Sequence, residues 1–285
     1  MIIDCHVHLL PEVVRKDRST FCQSDATFGE LYRSEKARLA SEEDILSYLD
    51  EAGIEKAVVF GFPWEDHDMV RRNNEEVWNF HARYPNRIIP FACLSCQGGD
   101  AACQEAEHTL SSGFAGIGEL AVYRDGWTKE RLESLAPVMD PVRRAQVPVM
   151  LHVNEPVGHH YPGKIGVDFV ALLELIKTTP EVDFILAHFG GGIFFYGLLP
   201  EVSHIFTRTY LDTAAQPFIY DARVYDVAVQ IMGKEKILFG SDYPLLPLAR
   251  YRKEFEKQQL EEEVLKGILG ANAEGLLLGK QKPGL

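Results

Sequence analysis

The chain has 285 residues, 46% of them hydrophobic and 25% charged, with a formal net charge of −13. That acidity argues against nonspecific binding to nucleic acid or to an anionic membrane, both of which need a cationic face. No apolar run approaches the ~18–20 residues of a membrane span. Apolar sequence begins at Ile2 with no charged leader before it, and the five cysteines are not the even set of a disulfide framework, so the cytoplasm is the expected location.

The first predicted strand, residues 2–5, runs directly into His6-Val7-His8. Alternate side chains of a strand share a face, so Asp4, His6 and His8 are expected to project together, with Cys5 and Val7 opposite. Two imidazoles two residues apart form a pincer suited to Zn²⁺ or a similar borderline cation. Residues 9–40 are long for a strand-to-helix connection and mix charge with Phe21, Phe28 and Tyr32. They are read as a flap over the mouth of the fold. Ile45, Tyr48, Leu49 and Ala52 then fall at helical spacing behind Ser41, a candidate N-cap with Asp44 three residues on.

Further predicted strands occupy residues 56–60, 88–94, 115–119, 148–152, 183–188, 207–212 and 237–242, each rich in apolar residues and bounded by Gly, Pro or charge. Helical patterns intervene, among them Val77, Phe80 and Tyr84; Phe169, Leu172, Leu173 and Ile176; and Val224, Val227, Ala228 and Ile231. Gly53 and Gly233 stand where helices should stop. Eight alternating units predict an α/β fold of the (β/α)₈ barrel type, one domain over residues 1–285. A doubly wound sheet is the competing architecture, but no Gly-x-Gly-x-x-Gly loop follows the first strand. Cys93-x-x-Cys96 and the nearby Cys103 lack a second Cys/His pair and are read as small core or loop residues.

Metal-competent side chains end several strands: His6 and His8, Glu119, His152, His188 and Asp242. In a (β/α)₈ barrel these ends converge at one mouth, where active sites are built. Buried polar groups need partners, and a cation satisfies several at once. His6, His8, His152 and Asp242 are the expected ligands, with His188 in the site as ligand or acid/base. Glu119 is either a ligand or a loop glutamate bonding backbone amides. Asp4, one pleat deeper, is expected to orient a histidine.

The Asp4-x-His6-x-His8 motif, His152, Ala187-His188-Phe189-Gly190-Gly191 and Phe239-Gly240-Ser241-Asp242-Tyr243-Pro244 together resemble the amidohydrolase superfamily. More narrowly they resemble its amidohydrolase-2 branch of barrel hydrolases and decarboxylases, as do residues 50–59 and 272–277. The resemblance implies a distorted (β/α)₈ barrel with one or two divalent metals, usually zinc, manganese being the other candidate. It implies His6, His8, His152 and Asp242 as ligands and His188 as the catalytic histidine of one-metal members. Glu119 falls where two-metal members place a carboxylate or a carboxylated lysine.

The leading expectation is therefore hydrolysis of a small amide, lactone or ester by a metal-activated water, with Asp242 moving the proton and His188 polarising the carbonyl. The alternative is nonoxidative decarboxylation of a small unsaturated or aromatic acid. A two-metal nuclease is third, disfavoured by the acidic charge. The loop 154–164 after His152 is expected to overhang the metal, with Tyr161 and Lys164 facing an anionic substrate, and Arg124 and Tyr243 are further candidate contacts. Gly190-Gly191-Gly192 could let backbone approach a ligand. No nucleic-acid or membrane partner is expected, and exposed aromatic loop residues would suit a homodimer.

Overall fold

The strand and helix signals resolve into a barrel in the computed structural model, which describes residues 1–95 and 99–279. Among the described residues eight strands follow chain order around one sheet, β1 Ile3–His8, β2 Lys56–Phe60, β3 Ile88–Ala92, β4 Gly116–Leu120, β5 Val149–Leu151, β6 Phe184–Leu186, β7 Thr209–Asp212 and β8 Ile237–Leu238. Neighbours are parallel, as helical crossovers require. The Cys5 N–H donates to Phe239 O at 2.7 Å and the His8 N–H to Tyr243 O at 2.8 Å, which closes β1 against the β8 segment. The architecture is a (β/α)₈ barrel.

Alternation along the strands sorts apolar residues into two layers. Ile3, Cys5, Val58, Phe60, Ile89, Phe91, Met150, Ile185 and Leu238 fill the barrel interior, joined by Ala273 and Leu276 of the last helix. Val59, Ile117, Val149, Leu151, Leu186 and Leu211 face the surrounding helices. A fully buried aliphatic or phenyl side chain contributes roughly 1.5–3 kcal/mol over leaving it exposed. This core holds the strand ends in fixed register.

That register is broken in two places that matter. The β1–β2 pairing shifts between Asp4 and Val7, and the β4–β5 pairing shifts between Ile117 and Leu120. Such irregularities re-aim side chains near sites. In β1 the shift separates Asp4 from the His6/His8 face: Asp4 turns to the helix layer, where it accepts from Tyr48 Oη at 2.8 Å, while Cys5 joins the interior. Simple alternation put Asp4 on the histidine face and Cys5 away from it, and both expectations are corrected by the bulge.

The helix Glu42–Ala52 begins at a capping box. Ser41 Oγ accepts from the Asp44 N–H, and the Ser41 N–H donates to Asp44, an arrangement in which the Ser cap alone is worth about 1 kcal/mol. Residues 9–40 form three short helices, Glu12–Lys16, Arg18–Ser24 and Ala26–Tyr32. Phe28, Val14 and Leu10 of this segment share a small core with Phe62, Trp64 and Val70, so the expected flap is a packed cap. Cys93 is buried in the interior cluster, Cys103 is half-buried, and Cys96 lies outside the described residues. No helix of the described residues is long and apolar enough to cross a membrane.

Candidate metal centre and substrate cavity

The C-terminal strand ends bring His6, His8, Glu119, His152, His188 and Asp242 into one cluster. Three overlapping triples have ligand atoms within 4.8 Å of one another: His6, His8 and Glu119; His6, His188 and Asp242; Glu119, His152 and His188. His6 Nε2 lies 3.3 Å from His8 Nε2, and His8 Nε2 lies 3.2 Å from Asp242 Oδ1. His152 sits with Glu119 and His188 rather than against the β1 pincer: its Nδ1 is 3.0 Å from Glu119 Oε1 and 3.0 Å from His188 Nε2.

The imidazoles are oriented from behind. Nδ1 of His6 lies 2.8 Å from Asp212 Oδ2, that of His8 3.2 Å from Gly61 O, and that of His188 3.0 Å from Ala214 O. Each partner accepts only, so each Nδ1 carries a proton and each Nε2 turns inward. His152 is reversed. Its Nε2 faces the acceptors Asn154 Oδ1 at 2.8 Å and Gly163 O at 3.0 Å, leaving Nδ1 to face the cluster. Its backbone is fixed as well, because the buried indole of Trp127 donates to His152 O.

Inward ring nitrogens this close repel unless protons or a cation lie between them. The donor set, imidazole nitrogens with carboxylate oxygens, suits a divalent transition metal. The cluster therefore fits one. Glu119 is shared: Oε2 is 3.7 Å from His6 Nε2 and 4.0 Å from His8 Nε2, whereas Oε1 faces His152 and His188.

Burial works against the charge on His6, but Glu119, Asp212 and Asp242 outweigh it and hold its pKa up at about 10, from an ordinary 6.5. For His188 burial is again opposed, chiefly by its hydrogen bond to Glu119 and by that carboxylate's charge, giving about 9. Burial would raise Glu119, yet His152 and His6 hold it well below the usual range; Asp242 is likewise low, chiefly through His8 and His6. Asp4 moves the other way, raised by burial to about 6.

These directions set the pH behaviour of the metal-free protein. A raised histidine pKa stabilises the fold fully below 6.5 and loses that contribution as pH rises through 9 to 10. The depressed Glu119 and Asp242 stabilise it above the ordinary carboxylate range and lose that as pH falls. Stripped of metal, the protein is expected to have its highest urea midpoint between about pH 5 and 8, declining towards pH 10; a flat profile from pH 7 to 10 would contradict the charged cluster.

Above the cluster opens a cavity of about 520 Å³, reaching from His8, Glu119, His152, His188 and Asp242 to walls that include Leu31, Tyr32, Tyr123, Phe218, Ile219 and Leu245. Its size suits a small molecule. The cap supplies Leu31, Tyr32, Ala37 and Arg38, and loop 154–164 supplies Asn154, His159, Tyr161, Pro162 and Gly163.

Of the four predicted substrate contacts, Tyr161 lines the cavity, with its hydroxyl 3.1 Å from Glu155 Oε2. The other three do not. Lys164 Nζ is engaged by Glu155 Oε1 at 2.9 Å and by the carbonyls of Val157 and His159, so it staples its own loop. Arg124 lines a separate small pocket with Glu65, Asp125 and Arg131. Tyr243 stacks on Tyr48 with ring centroids 4.1 Å apart and its hydroxyl meets Arg38 and Asp44 O. In the Gly190–Gly192 turn the close approach is to the protein's own backbone: Gly191 has φ +59°, and a Cβ there would lie 2.2 Å from Asn154 O.

Two residues were not anticipated. Arg38 is the one guanidinium among the described residues that line the cavity, with Nη2 3.4 Å from Tyr243 Oη. Asp212, fully buried at the end of β7, orients His6. It does the work expected of Asp4, which instead accepts the Ser241 N–H at 2.9 Å and the His6 N–H at 3.1 Å. A Cβ at Gly240 would stand 2.8 Å from His6 Cβ and 3.3 Å from Asp212 Cβ, so glycine is what lets the chain pass behind this pair.

The amidohydrolase family model matches residues 3–278. No curated protein matches the chain. Among solved structures, 5-carboxyvanillate decarboxylase from Sphingomonas paucimobilis superposes with a TM-score of 0.77 at 16% identity, over 97% of this chain and 98% of that one. Dihydroxybenzoic acid decarboxylase from Polaromonas sp., with bound manganese and the inhibitor 2-nitroresorcinol, gives 0.72 at 22% identity over 98% of each chain. A structure named only as amidohydrolase II gives 0.75 at 18% identity, over 98% of this chain and 100% of that one. At these identities the likeness establishes the fold.

Proposed function

The chain belongs to the amidohydrolase family, and from that premise we propose that it is a metal-dependent enzyme that removes CO₂, without oxidation, from a small aromatic or unsaturated carboxylic acid. The observation that carries this reading is the cavity: largely apolar and aromatic walls, one rim guanidinium at Arg38, and the histidine-carboxylate cluster at its floor. Such a space favours a flat apolar ring bearing an anionic group. Whole-length likeness to decarboxylases of aromatic acids favours the same chemistry over the hydrolysis expected first.

The cation would be held by His6, His8, Glu119 and Asp242, with His152 and His188 beside them, and would supply Lewis-acid polarisation of the substrate's oxygens. Zinc is the metal expected from an imidazole-rich set; manganese has the precedent of the Polaromonas enzyme. Arg38 would pair with a second oxygen substituent on the far side of the ring, leaving the carboxyl-bearing carbon turned towards the floor. In the reaction the bond from the ring or vinyl carbon to the carboxyl carbon breaks. The bonding pair stays on the former carbon, which takes a proton, and CO₂ departs. His188 is the proton carrier best placed for this step: it lines the cavity, and its Nδ1 is fixed on Ala214 O, so its Nε2 faces the cluster.

One observation favours a second reading. Glu119 offers one oxygen to each of two histidine pairs, the disposition of a carboxylate shared by two cations, and two-cation sites commonly activate water for hydrolysis. The test is a panel of hydroxylated aromatic and unsaturated acids beside lactones, esters and amides, with zinc- and manganese-loaded protein. Equimolar CO₂ and decarboxylated product support the proposal, while acid formation from the second set without CO₂ overturns it. With an active acid in hand, Arg38→Met should raise KM about 10–100-fold and leave kcat nearly unchanged, the loss of one charge-assisted contact.

A further inference from the structure

Asp212 makes more contacts than a histidine orienter needs. Its Oδ2 lies 2.8 Å from His6 Nδ1, while its Oδ1 accepts the backbone N–H of His188 at 2.9 Å and of Ala214 at 3.0 Å. Ala214 O in turn takes the Nδ1 proton of His188 at 3.0 Å. One carboxylate thus holds the ring of His6 directly and the ring of His188 through a single residue. The turn it grips is demanding, since His188 and Phe189 both have positive φ, 57° and 54°. Such conformations persist only where surroundings enforce them.

We infer that Asp212 is a positioning residue that fixes the tautomer through which His6 faces a cation, and simultaneously the turn that presents His188. The inference rests on the reading of the cluster as a metal centre. It has a consequence that no purely structural role shares. In Asp212→Asn the amide oxygen must take the Oδ1 position, because two backbone N–H groups already point there. Its NH₂ then falls at the Oδ2 position, beside His6 Nδ1. That donor pairs only with an unprotonated Nδ1, which moves the ring proton to Nε2 and aims it into the cluster, where no cation can then bind that atom. The near-isosteric change is therefore worse for metal binding than truncation. Asp212→Ala leaves two backbone donors unpaired but lets His6 keep either tautomer.

The experiment is a zinc titration of the metal-stripped 285-residue chain against a chromogenic chelator, repeated with manganese, after circular dichroism has shown that each variant is folded. The expected order is wild type tightest, Asp212→Ala about 10-fold weaker and Asp212→Asn about 100-fold weaker, within the range known for partners of ligating histidines. Asp212→Ser, which can still accept from one backbone N–H, replaces the alanine variant if that one does not fold. Asparagine binding as tightly as alanine, or tighter, overturns the inference and leaves the metal centre standing. Wild type that binds neither zinc nor manganese overturns the metal reading and the inference with it.

Discussion

Protein carrying His6→Ala and His8→Ala is expected to purify without metal and to lose at least about 10³-fold in kcat/KM on whichever substrate the wild type turns over. His6 takes part in two of the three ligand triples and His8 in one, so the pair removes most of the inward nitrogen on the β1 side. The same change leaves the buried Glu119 and Asp212 and the partly buried Asp242 with much of their countercharge gone. Breaking buried charge pairs in this way costs about 3–5 kcal/mol, so the thermal midpoint should fall even in the absence of metal. Elemental analysis per chain reads the first effect and calorimetry of stripped protein the second. Near-stoichiometric metal in the double variant would mean that Glu119, His152, His188 and Asp242 hold the cation without the β1 pair.

The residues of this site differ in how visible they are before folding. The histidine pincer was legible because period 2 governs a strand, and Asp242 because it ends the last apolar run. Asp212 ends the seventh run by the same logic and could have been taken with it. Asp4 was misread for a physical reason: a bulge is a local insertion in register that no alternation rule shows, and it turned Asp4 towards Tyr48. Arg38 was hidden in the cap, where short helices and their own small core, not periodicity towards the barrel, decide which side chain reaches the cavity. Lys164 and Arg124 sit close to the mouth in sequence, yet Glu155 engages one and a neighbouring pocket the other. Chain position locates a loop; it does not tell which way a long side chain turns.

The choice between the two chemistries returns to Glu119, and its substitution should have the second largest effect. At pH 7 the buried carboxylate sits among histidines whose pKa values it raises: it is the first of the carboxylates acting on His6 and the main cause at His188. Glu119→Gln keeps the shape and removes the charge. Burial, no longer opposed by this carboxylate, then drives both histidines towards their neutral forms. The amide can also offer its oxygen to only one histidine pair, while its NH₂ occupies the inward lone pairs of the other. Activity is expected to fall about 10²–10³-fold, and metal content to fall from two to one per chain if the wild type holds two.

Stability supplies an independent reading of the same substitution. Below about pH 8 the metal-free wild type should be the more stable, because Glu119 is compensated by protonated His6 and His188. As pH rises through 9 to 10 those protons leave. The wild type then retains a buried carboxylate without countercharge, a burden the glutamine variant does not carry. The two urea-midpoint curves should therefore converge and cross near pH 10. Parallel curves from pH 6 to 11 would show that Glu119 is not electrostatically coupled to the histidines. The shared carboxylate would then lose its standing as the link between the two halves of the site.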